Sequence, residues 1–120
     1  MTTTPAEPLF PWLPPARVLR WLGLTDSDEA AAIAEDCRRA AAAWCETQRP
    51  DLIDADTGVF SVSDAIVQAG VMAAARLYIR KGSGAGLPAY AELGAGDVLR
   101  LDPDVARLLG IGVYAPPRIG

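Results

Sequence analysis

The sequence predicts an all-α protein, a small bundle of two long and two short helices. Three observations predict it. Apolar residues recur at helical spacing in two long segments, around residues 26–48 and 63–81. Capping residues and prolines mark four helix starts, and glycine or proline marks each end. The connector between the two long segments, Arg49–Ser61, is polar and carries Pro50, Asp51, Asp54, Asp56 and Gly58. At 120 residues, with 51% apolar and 22% charged side chains, the chain is one globular domain.

The elements follow in order. Residues 1–15 contain five prolines, at 5, 8, 11, 14 and 15, and read as an extended arm. Leu9, Phe10, Trp12 and Leu13 lie on it, and bulky apolar groups there need a surface to dock on, in this subunit or a neighbour. The helical domain is expected over 16–110. Its first helix, Ala16–Leu22, has Pro15 at its start and Gly23 as its C-terminal cap. Val18, Leu19 and Leu22 form one face, and Trp21 extends it.

Thr25-Asp26-Ser27-Asp28-Glu29 then reads as a helix start, with Asp26 and Glu29 spaced as a capping box. This helix should run to about Gln48, because Pro50 stops it. Ile33, Cys37, Ala40, Ala41 and Trp44 mark its apolar stripe. Arg49–Ser61 is a polar connector. Ser61 or Ser63 caps the third helix, which carries Asp64 in its first turn and ends near Lys81 and Gly82. Ile66, Ala69, Ala73 and Leu77 form one stripe along it. Arg76, Arg80 and Lys81 gather at its C-terminal end, where cations suit the helix dipole or a partner subunit.

Gly82–Asp97 is a long loop with five glycines and a central Pro88–Leu93 stretch that includes Tyr90. Val98–Leu101 reads as a short extended piece. Asp102 caps the last helix, with Pro103 at its first position and Gly110 at its end. Residues 111–120 form a tail with Tyr114, Pro116, Pro117 and Arg118.

The chemistry is restrictive. Without histidine, a Ser-His-Asp or Cys-His arrangement and any imidazole–metal site are excluded. Cys37 and Cys45 are eight apart on one helix, ~12 Å along its axis, too far for a disulfide. Two thiolates are also too few for a zinc site built of cysteine alone. Asp51, Asp54 and Asp56 resemble the start of a calcium loop. An EF-hand counted from Asp51, however, needs Gly where Asp56 stands and Glu where Val62 stands. Gly84-Ala85-Gly86 lacks the Gly-Lys-Ser/Thr of a phosphate loop. No cofactor and no catalytic activity are expected.

Charge points to assembly. The net charge is −4, which disfavours nucleic-acid binding. Residues 1–62 carry ten acids and five bases, whereas residues 63–120 carry five acids and six bases. Ends of opposite character suit head-to-tail packing of identical copies. No apolar stretch approaches the ~20 residues that cross a bilayer, so no membrane partner is expected. Met1–Leu13 has no basic residue ahead of an apolar run, so no signal peptide is expected and synthesis is placed in the cytosol.

Ala73-Ala74-Ala75-Arg76-Leu77-Tyr78-Ile79-Arg80-Lys81 resembles the basic helix end of actinobacteriophage head-to-tail adaptors, a head–tail connector family of long-tailed phages. The Gly-rich loop with Leu93-Gly94 follows, as in that family. Asp102-Pro103-Asp104-Val105-Ala106-Arg107-Leu108-Leu109-Gly110-Ile111-Gly112 looks like the family's closing helix. The end, Tyr114 to Gly120, and the opening Arg17-Val18-Leu19-Arg20-Trp21-Leu22-Gly23-Leu24 are similar too. The likeness covers about Ala16–Gly120, and its force lies in the order and spacing of the pieces. The Pro-rich arm and the Asp51–Val59 connector depart from it.

The resemblance implies a mostly helical subunit that forms a twelve-fold ring beneath the portal protein. Such a ring extends the channel for double-stranded DNA and receives a stopper or tail-terminator protein. It implies a place in the virion neck, and in the host cytoplasm during assembly. Contact residues are then expected on the terminal segments, the loop and the basic cluster: Leu9, Phe10, Trp12, Arg76, Arg80, Lys81, Tyr90, Tyr114, Pro116, Pro117 and Arg118. The alternative is a small helical regulator that binds DNA or a protein partner.

Overall fold

The computed structural model describes residues 8–82 and 102–112, with the backbone alone at 81–82. Its described residues bear out the all-α bundle of two long and two short helices. These are α1 (Pro15–Leu22), α2 (Ala31–Gln48), α3 (Asp64–Gly82) and α4 (Pro103–Leu109). A 3-10 turn at Pro50–Leu52 and a single antiparallel bridge between Ile53 and Phe60 occupy the connector.

Helix α1 starts at Pro15, whose fixed φ fits a first turn. Gly23 closes it at φ 73°, and the Leu24 N–H returns to the Leu19 carbonyl at 2.9 Å. Helix α2 differs from expectation. Asp26 and Glu29 form no capping box. Instead Asp28 accepts from the Thr25 N–H at 2.6 Å and from its hydroxyl at 3.0 Å. That local closure holds residues 25–30 in turns. The helix then opens at Ala31 with no side-chain cap.

The buried face of α2 is also rotated from the expected stripe. Cys37 and Ala41 are buried, and Ile33 and Trp44 are partly buried, but Ala40 faces solvent. Ala34, Arg38, Ala42 and Cys45 complete the buried face.

Ser63, not Ser61, caps α3: its hydroxyl accepts from Ile66 N–H at 3.4 Å. Ile66, Ala69, Ala73 and Leu77 are all buried as expected, with Val71, Ala74 and Ala75. Helices α2 and α3 make the principal pairing. Cys45 clusters with Ile66 and Ala69, and Cys37 with Ala74 and Leu77, so the two run antiparallel. Alanine on both faces brings the axes close. Helix α4 lies on α3 with Val105, Ala106 and Leu109 buried. Its cap is the expected one. Asp102 accepts from Asp104 and Val105 N–H groups at 3.0 and 3.2 Å, Pro103 follows, and Gly110 closes at φ 74°.

The N-terminal segment corrects the expectation of an extended arm. Residues 1–7 lie outside the described residues, but Pro8–Pro14 turns back onto the bundle. Leu13 is fully buried, a gain of ~2 kcal/mol for one leucine. Gly70 makes room: a Cβ there would meet Leu13 and Trp12 at 3.1 Å. The C-terminal boundary shifts as well, because Ile111 is buried in the core beside Leu109.

Candidate functional site

The N-terminal candidates divide. Trp12 lies 5.0 Å from the Phe60 ring and donates its indole N–H to Glu46 at 2.9 Å. Phe10 packs against the main cluster. Both rings are partly buried within this subunit. Leu9 is not, and remains 60% exposed.

Arg38 fastens this segment, although sequence reasoning did not single it out. Its guanidinium is fully buried. It grips Glu35 with two hydrogen bonds of 2.7 Å, and donates to the Phe10 and Leu13 carbonyls at 3.1 and 2.9 Å. The planar fork suits both tasks at once. Glu35 also accepts from Arg39 at 2.8 Å. The Arg38 hydrogen bond outweighs partial burial and holds the Glu35 carboxyl below its usual range. Gly70 was the available signal: a glycine inside a helix marks a close approach.

The basic cluster also divides. Arg76 turns inward and donates to Asp102 at 2.8 Å, with Asp104 at 3.7 Å. It ties α3 to α4 within one chain. Burial would raise the Asp102 carboxyl, but the Arg76 hydrogen bond and the capping N–H groups win and hold it low. A second tie links the C-terminal ends of α2 and α4. Arg49 pairs with Asp51 and donates to the Leu109 carbonyl at 2.7 Å. Arg80 is exposed on α3. Lys81 is placed by its backbone only. Tyr90, Tyr114, Pro116, Pro117 and Arg118 lie outside the described residues, as does the Val98–Leu101 piece.

The surface holds apolar groups that sequence reasoning left unassigned as contacts. Trp21 is 53% exposed, Ile53 36%, Val59 58% and Ile79 61%. Ile53 and Val59 share one loop, where the Asp54 N–H donates to the Val59 carbonyl at 2.9 Å. Asp54 accepts from the N–H groups of Asp56 and Thr57, which fixes the turn. A recess of about 260 Å³ lies between α1 and the start of α2, lined by Val18, Leu19, Asp26, Ala34, Glu35 and Arg38. Another of about 340 Å³ adjoins it beside Leu24.

Among the described residues no cluster of acids and thiols could hold a metal ion. Burial, with Glu46 nearby, pushes the Cys45 thiol up to about 12, far from a reactive thiolate. Among the described residues no helix is long and apolar enough to cross a membrane. No family model, curated protein or solved structure matches this chain.

Proposed function

We propose that this protein is a head-to-tail adaptor subunit of a long-tailed phage. Copies assemble into a ring under the portal, twelve-fold by the resemblance. The ring extends the channel through which double-stranded DNA passes without its sequence being read. On its far side the ring receives the stopper or tail-terminator protein. The work is assembly in the host cytoplasm and holding in the virion neck, with no cofactor and no catalysis.

One observation carries this reading. The basic helix end, the Gly-rich stretch, the Asp-Pro helix and the Pro-containing end occur in the adaptor order and spacing. A mostly helical domain agrees with the subunit that the resemblance implies. Exposed Leu9, Trp21, Val59 and Ile79 are the kind of groups that a neighbouring subunit covers.

The test is to delete residues 114–120. The truncated chain should keep its helical circular dichroism and its unfolding midpoint, yet fail to attach to DNA-filled capsids. Capsid attachment equal to that of the intact chain would contradict the proposal.

A further inference from the structure

Among the described residues, Leu9, Trp21, Ile53, Val59 and Ile79 are the large apolar side chains left exposed. All but Leu9 fall into two patches. The first lies along α1 and α3. Arg17 donates to the Gln68 side chain at 3.3 Å, which marks the seam between these helices. Trp21 follows Arg17 by about one turn, and Ile79 follows Gln68 by about three turns, each within about 40° of the seam. Partly buried Met72 lies between Gln68 and Ile79 on the same face of α3. Leu13 sits at Gly70, whereas Leu19 borders Ala31 and Ala34 at the start of α2, so α1 advances towards the C-terminal end of α3. The patch is also basic. Among the described residues no acid pairs with Arg17 or with the exposed Arg20.

The second patch is the 53–60 loop, at the opposite end of the α2–α3 pair, where Phe60 anchors it beside Cys45 and Ile66. Ile53 and Val59 are exposed there with Asp54 and Asp56. Asp54 accepts from two backbone N–H groups and so locks the turn. The Asp56 carboxylate has no ion-pair partner among the described residues. This patch is apolar and acidic.

We infer that the 53–60 loop of one copy docks on the α1–α3 seam of a second copy, with Ile53 and Val59 against Trp21 and Ile79, and Asp56 towards Arg20. Two different patches meet, so the contact is head-to-tail and each copy keeps one free end. The pairing stands on the two patches and goes beyond the adaptor reading; only closure into a ring rests on that reading.

Three properties choose this occupant. Each patch carries uncovered apolar groups, each carries charge that its own chain leaves unpaired, and the signs are opposite. Both surfaces are already ordered, one as helix and one as a locked turn, so little freedom is lost on contact. The other acidic stretch, residues 26–29, has no large apolar side chain to cover Trp21. The recess lined by Asp26 and Glu35 is no rival seat for an acidic loop, and it opens on the other side of α1, where Leu19 turns about 160° away from Arg17. Asp26 borders Arg20 on that outer side without pairing with it. A loop on a helix seam buries less than the ~1,200 Å² of a standard interface, so an isolated pair is weak.

The experiment uses two full-length variants, Val59→Glu and Arg20→Glu, in sedimentation velocity up to the highest soluble concentration. Both positions are exposed, and circular dichroism should report native helix for each. The intact chain should associate with rising concentration, less so as salt rises. Each variant alone should lose that association by roughly tenfold or more, because a like or unmatched charge then faces its partner. Their mixture should recover a one-to-one dimer that grows no further, since each variant retains the patch that the other lacks. A monomeric intact chain, a variant that associates normally, or a mixture that stays monomeric overturns the inference. Rings that form on portal from either variant overturn it too, yet leave the adaptor reading intact. Recovery of the mixed dimer by a chain that never binds portal upholds the pairing and counts against the adaptor reading.

Discussion

Arg38 is the residue on which the N-terminal half turns. Its charge is fully buried and its fork satisfies a carboxylate and two carbonyls from a segment 25 and 28 residues away. Removing it strands those acceptors. Arg38→Ala should therefore cost about 2–4 kcal/mol in chemical denaturation. Arg38→Lys should recover little, because one ammonium cannot replace a two-sided planar fork. A variant within ~0.5 kcal/mol of the intact chain would show that the segment is held by Leu13 and Trp12 alone. The cysteines give a second residue-scale expectation. Cys37 and Cys45 are buried and unbridged, so a thiol reagent should label neither in the native protein and both in denaturant. Prompt labelling of the native protein would count against the packing of α2 on α3.

At the scale of the element, the helices with strong local chemistry were legible and those set by tertiary contacts were not. Ser63, Gly23, Gly110 and the pair Asp102-Pro103 act through the nearest few backbone groups, and each does what its sequence position suggests. The start of α2 misled because Thr25 captures Asp28, while the expected Asp26–Glu29 box does not form. The N-terminal segment misled because prolines signal extension locally. Only Gly70, 57 residues beyond Leu13, provides the slot that draws it in. Of the candidate contacts, the inward turn of Arg76 needed knowledge that Asp102 stands beside it. The exposure of Val59 and Ile79 needed the packed face of each element.

The cap of α4 carries part of the pH dependence. Asp102 is held low in the folded state, so it contributes stability above its unfolded value, near 3.8. That contribution is lost as pH falls through the lower folded value. Glu35 acts in the same direction. Stability should thus be flat from neutral pH to about 5 and fall below about 4. Asp102→Ala should lower stability by about 1–2 kcal/mol at pH 7, through the lost cap and the freed Arg76. The same variant should show a shallower acid limb in denaturation at pH 7, 5 and 3. An unchanged acid limb would remove Asp102 from this role.

For the whole molecule, the two long antiparallel helices set a body whose ends differ. The loop after α2 and the start of α3 share one end, and the C-terminal end of α3 marks the other. The core is small and rich in alanine, with few bulky groups to spare. Several large apolar side chains nevertheless remain outside it. On the proposed adaptor reading, neighbouring copies in the ring cover such groups.

The most direct measurement is electron microscopy of the full chain mixed with a portal protein from a long-tailed actinobacteriophage. An adaptor should appear as a ring, twelve-fold and coaxial, on the tail-facing side of the portal. A mixture in which the portal stays bare while this chain shifts DNA on a gel would contradict the adaptor role and favour the DNA-binding regulator instead.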